Sequence, residues 1–390
     1  MLDSIYIGMS GLAGYSRGLR VIANNSANLN TPGFKSATLQ FSDQFYSNGS
    51  TDGGNGGQVG HGLSTHSTQL NFAQGELRQT GNDLDLAVDG EGLFVLKGED
   101  GQIRYSRAGQ FEFNTDDTLV SRTDKSQVMA RGQDGSLSSV SLNGLKTNAA
   151  SATRTVSVTG NLSSTESASS VSAKVLDAAG GEHALTLNLT ADSTAGPGNW
   201  KAELLDGTTS VGTSNLVFVG GTPTAETAKM SFAYKPTGVP EMALMFDFST
   251  DVTSFAANNL STLVAKQDGF SAGALTQVSF DDAGVLVATY SNGQTFKGPK
   301  LALARFDSLD AVEAIGDNSF VAADPRAWTV GSAGGGGFGK VQAGSVEISN
   351  VDLSREFSDL VIMQRGYQAS SQIVSTANEM IQELFAMKNK

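Results

Sequence analysis

The chain begins and ends in a seven-residue repeat of apolar side chains. Towards the C-terminus, Leu353, Leu360, Tyr367, Val374 and Ile381 fall at strict heptad spacing, with Phe357, Met363, Ala377, Leu384 and Phe385 beside them. Towards the N-terminus, Ile5, Leu12 and Leu19 form a shorter row, flanked by Leu2, Met9, Ile22 and Leu29. A 3.5-residue period describes a coiled-coil seam rather than the broad apolar face of a helix resting on a globular core. The spacing predicts helices over 3–29 and 352–388, the second about 55 Å long at 1.5 Å per residue. Such a helix overhangs any small domain. Its seam has to be covered by the other terminal helix, by further copies of the chain, or by both.

Between these ends the pattern changes to strands and turns. Residues 31–70 read as an extended connector, opened by the helix stop Thr31-Pro32-Gly33 and rich in glycine over Ser47–Gly62. From Leu84 the chain alternates apolar and acidic residues, then turns at Gly90-Glu91-Gly92 into Leu93-Phe94-Val95-Leu96. From about 147 it becomes rich in Ser, Thr, Ala and Gly, with short strands separated by Gly180-Gly181, Asp206-Gly207 and Gly220-Gly221. That spacing predicts a sandwich or barrel. Near Phe270 the earlier pattern resumes, with a hairpin turn at Asn292-Gly293.

The expected organisation is therefore nested. Residues 1–30 and 350–390 form a terminal helical polymerisation domain, and 31–70 the connector. Residues 71–146 and 272–349 form an interrupted β-rich domain containing a glycine-rich linker at 331–340. Residues 147–271 form an inserted outer β-domain. The fold class is mainly β with long terminal α-helices, and nesting returns the two helices side by side as an antiparallel coiled coil.

Composition and motifs exclude more chemistry than they suggest. With 39 acidic against 26 basic residues the net charge is −13, which argues against nucleic acid or an anionic membrane as partner. Neither terminal helix has the apolar run needed to span a bilayer, and no cleavable signal peptide is evident. The absence of cysteine removes disulfides, thiolate metal sites and cysteine catalysis. Gly334 to Gly339-Lys340 fits the start of a phosphate-binding loop, but Val341 stands where Ser or Thr should ligate magnesium. Asp83, Asp85 and Asp89 lack the order of a calcium loop and read as the solvated side of a strand. His61, His66 and His183 form no zinc pattern. No catalytic residue, cofactor site or metal site is expected.

Two features remain: the heptad stripes and the asparagine cluster Asn24, Asn25, Asn28 and Asn30 at the end of the first helix. Around them the chain resembles the bacterial flagellar axial proteins, the rod and hook family. The resemblance is carried by Met9-Ser-Gly-Leu12 and Ala23-Asn-Asn-Ser-Ala-Asn-Leu-Asn-Thr-Pro-Gly-Phe-Lys35, then by Thr80-Gly-Asn-Asp-Leu-Asp-Leu-Ala-Val-Asp-Gly-Glu-Gly-Leu-Phe94. Tyr105-Ser-Arg-Ala-Gly109, Ala302-Leu-Ala-Arg-Phe306, Ser349-Asn-Val-Asp-Leu353 and Gln364-Arg-Gly-Tyr-Gln-Ala369 complete it.

The resemblance implies a homopolymeric helical tube with terminal helices lining the inner wall and β-domains outside. The inserted unit points to the hook side of the family, a flexible universal joint transmitting torque, rather than to a rod subunit. A secreted β-sandwich adhesin is the weaker alternative. The implied partners are the distal rod protein, the hook–filament junction protein, a hook cap and the flagellar export apparatus. The implied location is the cell-surface hook, reached without a cleaved signal. Assembly is expected to use Ile5, Met9, Leu12, Leu19, Ile22, Asn24, Asn25, Asn28 and Leu29 on the first helix. On the second it is expected to use Leu353, Phe357, Leu360, Gln364, Arg365, Tyr367, Val374, Ile381, Leu384 and Phe385.

Overall fold

The computed structural model describes residues 2–48, 58–256, 260–308 and 311–388. It is mainly β, with two long helices, α1 (Leu2–Ala27) and α2 (Leu353–Lys388), at its ends. No proline interrupts either helix. At the start of α2, Asp352 Oδ1 accepts the Ser354 and Arg355 amides at 2.9 and 3.2 Å, satisfying donors that a helix N-terminus leaves open. After α1 the chain turns at Gly33, whose φ is +73°. A Cβ there would lie 2.4 Å from the Ala108 amide nitrogen, so both the backbone angle and the close approach demand glycine.

The chain divides into two compact units. The first comprises 1–143, 278–287 and 297–390, and the second 144–277 and 288–296. Residues 144–146, 272–277 and 288–296, expected in the interrupted domain, thus group with the second unit.

In the first unit, α1 and α2 run antiparallel, as the nested reading predicts. Gly8 faces Val374, Gly18 faces Met363 and Asn25 meets Glu356. Residues 31–70 depart from the extended connector. Ala37–Asp43 pairs antiparallel with Leu63–Leu70, and this two-stranded arm lies along α1, where Gly14 abuts Leu63 and Phe41. The neighbouring glycines obscured the strand-forming Thr and Leu residues within it. Part of the glycine-rich stretch, 49–57, lies outside the described residues.

The main sheet of this unit places Leu93–Lys97 between Ile103–Ser106 and Gln127–Arg131, with Ala302–Phe306 also pairing to it. Leu93, Val95, Tyr105, Met129, Ala302, Ala304 and Phe320 form its core. The segment 331–340 is not a free linker. Trp328–Ser332 and Lys340–Ala343 are strands, the latter paired to Leu86–Asp89, and the turn between them folds buried Phe338 inward. Lys340 therefore opens a strand rather than the helix a phosphate-binding loop requires. Asp85 also departs from expectation. It is 3% exposed and its carboxylate lies 3.2 Å from Arg122, because the adjoining strand Leu86–Asp89 is buried on both faces instead of one.

The second unit is a β-sandwich. One sheet is a meander of Ala168–Leu176, Glu182–Ala191, Asn199–Asp206 and Thr209–Val219, completed by Thr222–Pro223. The other orders Lys229–Tyr234, Met242–Asp247, Thr155–Asn161 and Val252–Thr253, with Val264–Gln267 also on Thr155–Asn161. Strict alternation sends Leu185, Leu187 and Leu189 inward from one sheet to meet Val156, Leu244 and Phe246 from the other.

Candidate functional site

The helix pair closes on small residues. A Cβ built on Gly8 would lie 2.7 Å from Val374 Cγ2, one on Gly11 2.5 Å from Ser370 Oγ, and one on Gly366 2.5 Å from the Tyr15 ring. Gly11, Gly18 and Asn25 recur every seven residues, as do Glu356, Met363, Ser370 and Ala377 on the facing helix. The heptad period is right, but its phase is shifted. The row that closes the pair is built mostly from small and polar side chains, with Met363 its one large apolar member.

The expected assembly residues therefore separate. Ile22 and Asn25 are buried, whereas Ile5, Leu12, Leu19, Asn28, Leu29, Leu360, Val374 and Ile381 are half-buried at the margins of the seam. Met9, Asn24, Leu353, Phe357, Gln364, Arg365, Tyr367, Leu384 and Phe385 are exposed. With Val361, Ile362, Ile373, Met380 and Met387, the exposed Leu353, Phe357, Tyr367, Leu384 and Phe385 leave α2 with outward apolar surface along most of its length. So many exposed large apolar side chains on one helix mark an interaction face.

At the far end of the pair, Asn25 links three elements rather than terminating a helix. Its Nδ2 donates to Ala37 O at 2.8 Å and to Glu356 Oε1 at 2.9 Å, while its Oδ1 accepts the Ala37 amide at 3.0 Å. Burial pushes the Glu356 carboxyl above its usual range. The Asn25 hydrogen bond and Arg355 oppose that shift, and Asp359 and Asp352 add to it. Beside this contact, Asn350 accepts the Ser36 amide at 2.8 Å and donates to Asn71 O and Ala73 O at 2.7 and 2.9 Å.

Below it lies a buried ionic node. Lys35 Nζ lies 2.6 Å from Glu347 Oε1, and Arg107 Nε lies 2.8 Å from Glu347 Oε2. The arginine contact is an ion pair without hydrogen-bond alignment at that oxygen. Lys35 also donates to Ala73 O at 2.8 Å, Arg107 to Gly90 O at 2.6 Å and to Gly92 O, and the Gly75 amide to Glu347 Oε1 at 2.9 Å. Burial lowers the pKa of both bases, and the nearby Glu347 charge opposes that shift. A buried carboxylate with this many donors is tolerable where a bare one is not. Periodicity could not reveal Glu347 or the seam residues Gly8, Gly11, Gly18, Gly366 and Ser370. The visible signal was the recurrence of glycine at 8, 11, 14 and 18.

Three family models match the chain: "Flagella basal body rod protein" over 5–35, "Flagellar hook protein FlgE/F/G D1 domain" over 87–163 and "Flagellar basal body rod FlgEFG protein C-terminal" over 342–387. These segments contribute Lys35, Arg107 and Glu347, one residue each to the node. All three are models of flagellar rod and hook proteins, and together they support a flagellar hook or rod protein. It is 28% identical to the flagellar hook protein FlgE of Borreliella burgdorferi over the full length of both. It is 28% identical to that of Escherichia coli K12, over 97% of this chain and 98% of the relative. A basal-body rod protein, FlgG of Bacillus subtilis, is 26% identical over the full length of both. Among solved structures, the Helicobacter pylori flagellar hook protein FlgE2 shares the fold at 12% identity and a TM-score of 0.52, covering 69% of this chain and all of that one. The family is a structural one. Among the described residues, no helix is long and apolar enough to cross a membrane.

Proposed function

We propose that this chain is a structural subunit of the flagellar hook, assembling head to tail into a helical tube through its terminal helix pair. The observation that carries the proposal is the outward apolar surface of α2. Phe357, Val361 and Ile362 remain exposed although α1 packs against another side of the helix, and Phe385 is exposed beyond the start of α1. An unclosed heterologous contact repeated between identical copies generates a helical polymer. Full-length similarity to hook proteins of several bacteria supports a hook rather than a rod subunit.

In this reading, the named residues of both helices form the assembly surface, and the β-rich parts are carried on the outside of the tube. They slide past one another as the joint bends, while the helices bear torsion. The subunit works on the cell-surface flagellum, after export in an unfolded state. It meets the distal rod protein below, the hook–filament junction protein above and, during growth, a hook cap. Electron microscopy of polymerised full-length chain tests this directly. Curved tubes with density for both terminal helices are expected, and straight, rigid tubes would return the chain to the rod side of the family.

A further inference from the structure

The two helices differ in length, and the excess is not neutral. Residue numbers on α2 fall as those on α1 rise, from Val374 opposite Gly8 to Met363 opposite Gly18. Continuing that register, α1 begins opposite about Glu379 at this one-for-one antiparallel spacing. Residues 380–388 thus extend beyond α1, still helical, with Met380, Leu384, Phe385 and Met387 exposed. Near that same end, α1 and the two-stranded arm enclose a shallow groove of about 320 Å³. Tyr6, Met9, Ala13 and Arg17 form its α1 wall, and Leu63 and Thr65 lie across from them. Tyr6 and Met9 are largely exposed, and Arg20 lies on the turn beyond Arg17.

We infer that the α2 tail of one copy seats in the α1–arm groove of a second copy. This rests on the hook-subunit reading and specifies one contact within it. A tail cannot reach its own groove, because α2 runs past the end of α1 as an unbroken helix and would have to fold back on itself. The chemistry of tail and groove is complementary. The apolar positions Met380, Leu384 and Met387 recur at helical spacing to meet Tyr6 and Met9, and the tail's acids, Glu379 and Glu383, meet the groove's Arg17 and Arg20 beside it on α1. Each docked pair leaves one groove and one tail unused. The contact therefore propagates instead of closing into a dimer.

The native chain has no cysteine, so introduced ones report cleanly. Full-length Met9→Cys and Leu384→Cys proteins are mixed, polymerised and mildly oxidised. A disulfide-linked heterodimer in tubes, and not in dilute unpolymerised protein, is expected. In a second arm, Glu383→Arg should raise the concentration needed for polymerisation about tenfold, and adding Arg17→Glu should recover most of that loss. Unchanged circular dichroism shows that these variants keep their helices. Tubes without the cross-link, or Glu383→Arg tubes at the wild-type concentration, overturn the tail-and-groove contact and leave the hook reading standing. A wild-type chain that never polymerises removes both.

Discussion

The helix pair and the sandwich handle their apolar side chains in opposite ways. In the sandwich, Leu187, Leu204, Phe246 and Phe248 are fully buried between two sheets, and each such side chain contributes roughly 1.5–3 kcal/mol by leaving water. In the helix pair, the closest approach is made by Gly8, Gly11, Gly18, Gly366, Ser370 and Ala377. Ile22 is a buried large apolar residue, and many large apolar side chains of α2, among them Phe357, Val361, Ile362, Ile373 and Phe385, are exposed. The sandwich completes itself within one chain. The helices are held together by close backbone approach, which yields many small dispersion contacts but little apolar burial. Their large side chains are left for another copy. The direction in which comparable residues point decides whether a segment is a finished domain or half of an interface.

Truncating the sandwich core should give the largest effect. Phe246→Ala removes a fully buried ring that contacts Phe232 edge-on, with centroids 5.8 Å apart. It should cost about 3–5 kcal/mol, read as an earlier denaturant midpoint for peptides of 144–277 in hydrogen exchange. Amides of α1 and α2 should keep their protection. If they lose it equally, the two regions do not differ as described. In the seam the damaging change is an addition. Gly11→Leu drives a side chain into Ser370 and should cost about 1–3 kcal/mol, the usual range for overpacking. Faster exchange along 2–27, with the sandwich unaffected, would locate that loss.

Acid should separate the regions by sign. Burial raises the Glu356 pKa above its ordinary 4.5, so its neutral form suits the folded helix pair. That contribution is fully present below the ordinary value and is lost as pH rises through the raised one. In the sandwich, the hydrogen bond from His183 and then that from the Gly181 amide hold Asp177 below its ordinary 3.8. Its contribution is present above that value and disappears as pH falls through the lowered one. Acidification from neutrality to about pH 4.5 should thus tighten the contact between α1 and α2, and only further acid should loosen the turn at Asp177. Glu356→Gln should flatten the first response, and Asp177→Asn the second. Chemical denaturation at stepped pH checks both. A helix pair weakened between neutrality and pH 4.5 contradicts the assignment at Glu356.

The heptads made the two helices and their antiparallel pairing legible, because a repeat of seven survives any change of neighbours. They misled on phase, since hydrophobicity ranks Leu and Phe above Gly and Ala, whereas the closest helix approach selects the smallest residues. The turns at Gly180-Gly181, Asp206-Gly207 and Gly220-Gly221 likewise announced the short strands of a sandwich or barrel. Asp85 was misread because its partner, Arg122, and the second covering layer come from elsewhere in the chain. The node was out of reach for the same reason. Lys35 and Glu347 are 312 residues apart, and nothing in the vicinity of either predicts the other. Local period reveals elements and their faces, whereas buried charge pairs belong to topology.

The smallest expected change in the isolated chain is the most informative about that distinction. Phe357 lies in the same heptad reading as the helix-pair contacts, one position from buried Glu356, yet it is 57% exposed. Phe357→Ser should alter the stability of the unpolymerised chain by no more than about 0.5 kcal/mol, as expected for a surface site. Phe246→Ala, the same kind of loss in the sandwich, should be several times costlier. In polymerisation the order should reverse. Phe357→Ser should raise the required concentration while Phe246→Ala, kept below its unfolding midpoint, should not, as measured by sedimentation of tubes. Equal effects of Phe357→Ser on stability and on assembly would mean that this face packs within its own chain. The helix pair would then be a finished domain like the sandwich.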